Sequence, residues 1–318
     1  MSRSLNPFFL AGLGVGAATA AIAATRALRS SPPPDGSVVL ITGGSRGLGF
    51  SIASRFAERP VRLVLAARDR NELEQAQQQL VAKHPHLHPD DFYLVTADLS
   101  HREECHRLIS EAIARFGRID VLVNNAGIIG VGPMEAIPLE EYERTMAINF
   151  FAAMYTTLAA LPHMRQQTAL DGWSNRAAIV NICSIGGKIS VPHMLPYSAA
   201  KFALVGFSQG LHAELRRKGI RVTTVCPGLM RTGGEDHAQF FGDKEAEERW
   251  FKFSAKTPGL STTPEHAANR IYRAVSLGLS EIIITPQAWL GARIAGLCPE
   301  TIQCTTSLVN AFLMPKAP

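Results

Sequence analysis

Two groupings of residues in this chain can do chemistry. Tyr197 and Lys201 stand four residues apart, and Pro196 can open a helix at its first turn. That spacing on a helix puts the phenol and the ammonium on one face. Tyrosine has a pKa of about 10 and is a poor base at neutral pH. A nearby ammonium favours the phenolate, which suits the pair to exchanging a proton with a substrate oxygen. A base at pH 7 requires a downward shift of roughly three units, about 4 kcal/mol of differential stabilisation. The second grouping is Thr42-Gly43-Gly44-Ser45-Arg46-Gly47-Leu48-Gly49, directly after the apolar run Val38-Val39-Leu40-Ile41. It reads as a strand entering a glycine turn that opens a helix, which offers backbone N–H groups to a dinucleotide pyrophosphate. Gly43, Gly47 and Gly49 permit the turn and let a phosphate approach the backbone. The spacing is G-x-x-x-G-x-G, not the commoner G-x-G-x-x-G, and an ordinary tight turn is the bland alternative. A helical pattern (Phe50, Ile52, Ala53, Phe56, Ala57) and a second strand from Val61 to Ala66 complete the β-α-β order that a nucleotide site requires.

Positioning these residues takes a regular scaffold. Strand-like runs occur at Val38–Thr42, Val61–Ala66, Phe92–Thr96, Ile119–Asn124, Ala177–Ile182, Arg221–Cys226 and Glu281–Thr285, with helical patterns between them. Such alternation calls for a parallel sheet with helices on both faces and right-handed crossovers. Ligands on such sheets bind at the carboxyl ends of strands. Thr42, Arg68, Asp98, Asn125, Ser184 and Pro227 each end or just follow a strand. The Ser184 hydroxyl can hydrogen-bond a carbonyl or alcohol oxygen and orient it.

A chain of 318 residues with 46% apolar composition can bury a full core; one α/β domain of about 250 residues plus extensions is the natural reading. The net charge of +5 is dispersed, and no Lys/Arg run points to nucleic acid. The five cysteines form no C-x-x-C pair, which reads as buried free thiols in a reducing compartment. His84, His86 and His88 read as a solvated, proline-punctuated connection rather than a metal site, since nothing completes a ligand set.

Both ends are apolar. Residues 4–25 carry no charge and are flanked by Arg3, Arg26 and Arg29; a Ser/Pro linker follows through Gly36. Twenty-two residues suffice to cross a hydrocarbon core, and Gly12, Gly16, Ala20 and Ala24 form a small-residue stripe. A membrane anchor, a cleaved targeting segment and a helix packed on the protein itself are the three readings. Export would part an enzyme from the cytosolic cofactor pool, so the expected place is the cytoplasm, with the anchor at the cytoplasmic face of a membrane. At the other end, Pro299 divides Trp289 to Met314 into two short amphipathic pieces, fit to cover a pocket, pair subunits, rest on a membrane or pack on the core. The expected division is 1–36 apolar segment and linker, 37–287 catalytic domain, and 288–318 extension.

Residues 37 to about 285 resemble a classical short-chain dehydrogenase/reductase. The resemblance rests on T-G-x-x-x-G-x-G at Thr42 to Gly49, Asp98-Leu99, N-N-A-G at Asn124 to Gly127, Asn149, Ser184, Y-x-x-x-K at Tyr197 to Lys201, and Pro227-Gly228 with Thr232 beyond. It implies a Rossmann-like, doubly wound, mostly parallel seven-stranded sheet with helices on both faces. It implies a catalytic set of Asn149, Ser184, Tyr197 and Lys201, with Asn149 holding a water that relays protons from Lys201. Cofactor contacts are expected from Thr42, Gly43, Ser45, Arg46, Gly47, Leu48, Gly49, Arg68, Asp98, Leu99, Asn125, Ala126, Gly127, Tyr197, Lys201, Pro227, Gly228 and Thr232. Asp98 would meet the adenine amino group or cap the helix from His101, and Thr232 would bond the nicotinamide carboxamide. Asn124 is expected to brace the sheet.

Arg46 and Arg68 suit a 2′-phosphate, so NADP(H) is expected over NAD(H); Asp69, which could accept from a ribose instead, reads as the cap of the helix near Arg70. The positive charge of an oxidised nicotinamide would add to that of Lys201 on the phenol. The expected activity interconverts an alcohol and a carbonyl, in the direction of reduction. The region from Leu229 to Pro258 is expected to form the pocket lid, and its aromatic residues, together with the apolar N-terminal segment, point to a lipophilic substrate. The long helices after Leu139 and Pro196 could pair subunits into a homodimer or homotetramer, as the family implies. The alternatives are an epimerase or dehydratase with tightly held cofactor, and a non-catalytic, membrane-tethered nucleotide-binding scaffold.

Overall fold

A computed structural model describes residues 31–173, 175–231, 233, 237–256 and 261–315. The apolar stretch 4–25 and Thr232 lie outside the described residues.

Seven strands form one parallel sheet: β1 (Val38–Thr42), β2 (Arg62–Ala67), β3 (Phe92–Thr96), β4 (Val121–Asn124), β5 (Ala177–Ile182), β6 (Ile220–Pro227) and β7 (Glu281–Ile284). Their order is β3-β2-β1-β4-β5-β6-β7. The order reverses between β1 and β4, where a crevice opens at the carboxyl ends of the strands. Strands covered on both faces read as unbroken apolar runs, and β1 is buried throughout. Its residues alternate between two cores, as the strand pleat demands. Val39 and Ile41 pack under α1 (Gly47–Phe56), α2 (Arg70–Lys83) and α8 (Pro264–Leu277). Val38 and Leu40 pack under α3 (Arg102–Phe116), α5 (Ala152–Gln166) and the lower end of α6 (Leu195–Leu215).

Helix α4 (Leu139–Met146) runs into α5 through a π-turn, Ala147–Phe151. Among the described residues this stretch, Leu139–Gln166, is the one helix long and apolar enough to cross a membrane. It packs on α3 and α6 against the sheet. After β6 come α7 (Lys244–Lys256), then α8, and after β7 a hairpin of α9 (Pro286–Leu297) and α10 (Pro299–Leu313) broken at Pro299 as predicted.

A buried polar chain crosses the second face. Asn124 donates to Asn181 Oδ1 at 2.8 Å and accepts from Thr156; Asn181 donates to Ser208 Oγ at 3.1 Å; Thr224 donates to the same Oγ at 2.8 Å. It joins β4, β5, β6, α5 and α6, and it shows Asn124 bracing the sheet.

Two expectations need correction. His84 is not solvated: it closes α2, is buried, and its Nε2 lies 3.2 Å from Ser54 Oγ. Cys105, Cys183 and Cys226 are buried, but Cys298 and Cys304 are exposed because little covers the α9–α10 hairpin.

Candidate active site

The crevice between the β1 and β4 ends is a cleft of about 1030 Å³. Its floor is the glycine turn. Gly43 and Gly47 have φ of +64° and +56°, where an L side chain is strained. A Cβ on Gly49 would stand 2.0 Å from the Gly43 carbonyl oxygen. Helix α1 starts with no side-chain cap and no acid in its first turn, which leaves its first N–H groups facing the cleft without partners from its own cap. Helix α2 begins differently: Asp69 accepts from the Asn71 and Glu72 N–H groups. Asp69 is therefore a cap, as the sequence suggests, and α1 is the helix open to an anion.

The cofactor residues divide into those that face the cleft and those that build it. Gly43, Ser45, Arg46, Gly47, Leu48, Gly49, Arg68, Asp98, Leu99, Asn125, Ala126 and Gly127 line it. Thr42 does not: it is buried, and its hydroxyl accepts from the Asn125 and Ala126 N–H groups at 2.9 and 3.0 Å. The Asn125 amide donates to the Thr42 and Gly43 carbonyls, so much of its hydrogen-bonding capacity is spent on the turn. Pro227 ends β6, and Gly228 is packed against β7, where a Cβ would stand 2.4 Å from Thr285 Oγ1. Neither lines the cleft; Met230, Gly233 and His237 do so instead. The departure from expectation is steric, since the β6–β7 junction occupies the space beside Gly228.

Arg46 is already paired. Its Nη1 lies 2.8 Å from Glu72 Oε1, and Ser45 donates to the other oxygen of the same carboxylate. Arg68 is exposed at the cleft and has no ion-pair partner among the described residues. Asp98 turns back on Ser100, accepting from its N–H and hydroxyl, while α3 starts later, at Arg102. It is thus not the helix cap. Burial acts to raise its pKa, but the two Ser100 hydrogen bonds, with His101 and Arg68 nearby, bring it below the ordinary value.

At the other end of the cleft, α6 delivers Tyr197 and Lys201, both lining it. Lys201 Nζ is 5.6 Å from the centre of the Tyr197 ring and donates to the Ile182 carbonyl at 2.9 Å. Ser184, just past β5, shares a hydrogen bond with the Tyr197 phenol and caps a short turn at Gly186. The helix reaches this depth because Gly187 has no side chain; a Cβ there would stand 2.5 Å from the Lys201 carbonyl oxygen.

Asn149 is buried on the π-turn. Its Oδ1 accepts from the Ile128 N–H at 2.8 Å and its Nδ2 donates to the Ile128 carbonyl at 2.9 Å. A Cβ on Gly127 would lie 2.9 Å from that Oδ1 and 3.6 Å from Lys201 Nζ. Asn149 and Lys201 therefore flank one glycine.

The electrostatics differ from the expectation. Burial pushes the Tyr197 phenol up to about 12, outweighing the Ser184 hydrogen bond, and burial lowers the Lys201 ammonium. The tyrosine stands among Ile129, Val131, Val191, Met194 and the lid residues Phe240, Trp250 and Phe251. Sequence spacing finds the pair but carries no measure of the desolvation these neighbours impose.

One contact beside the site had no local signal. His193, at φ +60° just before α6, places Nδ1 2.6 Å from Glu247 Oε1 of α7, and both side chains are buried. The His193 carbonyl also accepts from the Gly132 N–H. Burial raises the Glu247 pKa and the His193 contact opposes it.

Comparison with known proteins agrees with this geometry. The family described as short chain dehydrogenase matches residues 37–239. An 11-beta-hydroxysteroid dehydrogenase A of Sesamum indicum is 34% identical over 84% of this chain and 74% of its own length. A metagenomic short-chain oxidoreductase solved with NADP is 27% identical, with a TM-score of 0.61 over 79% of this chain and 98% of its own. A short-chain dehydrogenase/reductase from Burkholderia phymatum solved with NAD shares the fold, with a TM-score of 0.74 at 23% identity over 84% of this chain and 95% of its own. With its seven-stranded parallel sheet, its open glycine turn and its matched sequence, the chain belongs to the short-chain dehydrogenase/reductase family, oxidoreductases that act on CH–OH groups with NAD(P).

Proposed function

We propose that this protein is an NADP(H)-dependent reductase of lipophilic ketones or aldehydes. The carrying observation is the convergence of Tyr197, Lys201, Ser184 and Asn149 at the end of a cleft whose other end is an uncapped helix N-terminus. The open glycine turn and cleft volume fit a dinucleotide. Asp69 caps its helix through Oδ1 and Arg46 is paired with Glu72, so Arg68 is the cation left for a 2′-phosphate. That favours NADP(H) over NAD(H).

When bound, the reduced nicotinamide supplies a hydride to the carbonyl carbon. The chain supplies the proton and the orientation. Tyr197, protonated at neutral pH, donates its phenolic proton to the substrate oxygen. Ser184 donates a hydrogen bond to that oxygen. Lys201 stabilises the tyrosinate left behind, and its proton can be replaced through water held near Asn149. Leu48, Leu99, Ala126 and Gly127 give the cofactor its walls, Asp98 faces the adenine end, and Thr232 stays a proposed carboxamide contact. Thr42, Asn125, Pro227 and Gly228 shape the site from behind.

The apolar cluster around Tyr197 supports a lipophilic substrate, and the 11-beta-hydroxysteroid dehydrogenase relative is named for one. Residues 4–25 would hold the domain at the cytoplasmic face of a membrane. Leu158 and Phe202, exposed on α5 and α6, suit pairing into a homodimer or homotetramer. The test is an absorbance screen at the reduced-nicotinamide band, with ketones, aldehydes and alcohols offered alongside NADPH or NADH. Consumption of NADPH with apolar carbonyls is the expected result. Turnover restricted to small polar ketones, or to NADH, overturns the reading, and product formation without net NADPH consumption indicates an epimerase or dehydratase.

A further inference from the structure

We propose that the outer face of the α9–α10 hairpin docks on a lipid bilayer. Of α9 the structure buries Ala288, and of α10 it buries no residue. The inner side of α10 carries the half-buried Ile302, Thr306 and Val309. The outer side carries Cys304, Leu308, Ala311 and Phe312, a helical stripe. Leu297 at the bend is 82% exposed and Phe312 is 78% exposed. Leu308 and Leu313 are exposed as well, and apolar surface of this kind marks interaction sites when it forms a patch.

Three features favour lipid over a protein partner. From Pro286 to Pro315 the chain has two charged residues, Arg293 and Glu300. Arg293 lies 5.4 Å over the ring of Trp289, and an indole with a snorkelling cation suits the headgroup level of a membrane. Two of the four hydroxyls of α10 bond to their own helix: Thr305 donates to the Thr301 carbonyl at 2.7 Å, and Thr306 to that of Gln303 at 3.1 Å. This satisfies those two internally, as an apolar medium requires. Residues 4–25 carry no charge, and the twelve residues that join them to β1 reach at most about 43 Å. The body therefore stays close to whatever surface that segment enters.

The inner side of the same hairpin faces the segment that leads into α6. With the 190–195 segment before α6, Thr306, Asn310 and Met314 enclose a second cavity of about 510 Å³. A docked hairpin would place that cavity beside the lipid, which suits the lipophilic substrate class proposed above; the docking surface does not depend on it.

Two of the five cysteines, Cys298 and Cys304, lie on the hairpin and are exposed, and the other three are buried. The full chain can therefore be labelled there with a nitrobenzoxadiazole probe and mixed with phosphatidylcholine vesicles. We expect the emission to shift to the blue, brighten several-fold, and be quenched by nitroxide-bearing lipids. The double variant L308E/F312E should weaken this response by roughly tenfold or more, with NADPH binding unchanged. Should that variant fail to fold, nitroxide quenching of the labelled wild-type chain decides alone. A probe that stays water-like while the protein floats with vesicles overturns the proposal and leaves residues 4–25 as the tether. A probe already blue-shifted without lipid overturns it too; a sedimentation mass of two chains then identifies a second copy as the occupant, and a mass of one chain identifies residues 1–30.

Discussion

At the dinucleotide end of the cleft, Thr42 and Asn125 tie the glycine turn to the end of β4 through four hydrogen bonds with main-chain groups. At the lid end, two ladders of two residues each, Gly130–Val131 with Gln239–Phe240 and Leu229–Met230 with Ser261–Thr262, meet one buried acid–imidazole contact. The first region is fixed by the turn glycines and by two side chains, Thr42 and Asn125, each bonded twice to main chain. The second rests on few side chains and is the easier to reshape. Cofactor binding should therefore tolerate lid substitutions, and substrate choice should not.

The sharpest break comes at the junction of the two regions. Tyr197→Phe should lower kcat by about 10²–10⁴-fold and leave NADPH affinity, followed by fluorescence titration, nearly unchanged. Equal loss of binding would mean that the hydroxyl belongs to the cofactor region instead. Gly49→Ala drives a methyl into the Gly43 carbonyl; we expect a stability loss of at least about 1–3 kcal/mol in thermal melts, with NADPH binding abolished. Arg68→Ser should weaken NADPH by roughly 10–100-fold, the worth of a charge-assisted hydrogen bond, and leave NADH unaffected. Parallel loss of both would refute the 2′-phosphate role.

Glu247→Gln removes the charge of the buried lid contact. It should raise KM for an apolar ketone several-fold while kcat and NADPH affinity hold, and an unchanged KM would detach the lid from specificity. The smallest effect is a flat line. Because Tyr197 is pushed up to about 12, the proposed proton donor keeps its proton throughout neutral pH, and the reductive rate should fall only as pH climbs toward that value. Difference titration of the cofactor-free enzyme against Tyr197→Phe should show no tyrosinate from this residue at neutral pH.

Much of this was legible in the sequence where the signal is local. Apolar runs such as Val38–Ile41 mark strands buried on both faces, and the turn glycines and the Tyr197/Lys201 spacing locate both ends of the cleft. Contacts between distant segments were not legible. His193 and Glu247 lie 54 residues apart, in no pattern that periodicity can show. Nor does a motif separate residues that touch a ligand from those that brace them; Thr42 and Gly228 carry the pattern yet are packed within the scaffold. The sign of the Tyr197 shift depends on packing from the lid, which spacing along α6 does not encode.

The polar chain through Asn124, Asn181, Ser208 and Thr224 acts as a vernier for the helix that carries Tyr197. Ser208 sits three turns beyond Tyr197 on α6, roughly 16 Å along its axis, and engages β5 and β6 together. Sliding α6 by one residue would carry Ser208 away from both strands at once, so the phenol's height above the sheet is graduated from a notch deep in the interior. Ser208→Ala, remote from every reacting atom, should then blur the alignment of Tyr197 without altering a single group at the mouth of the cleft.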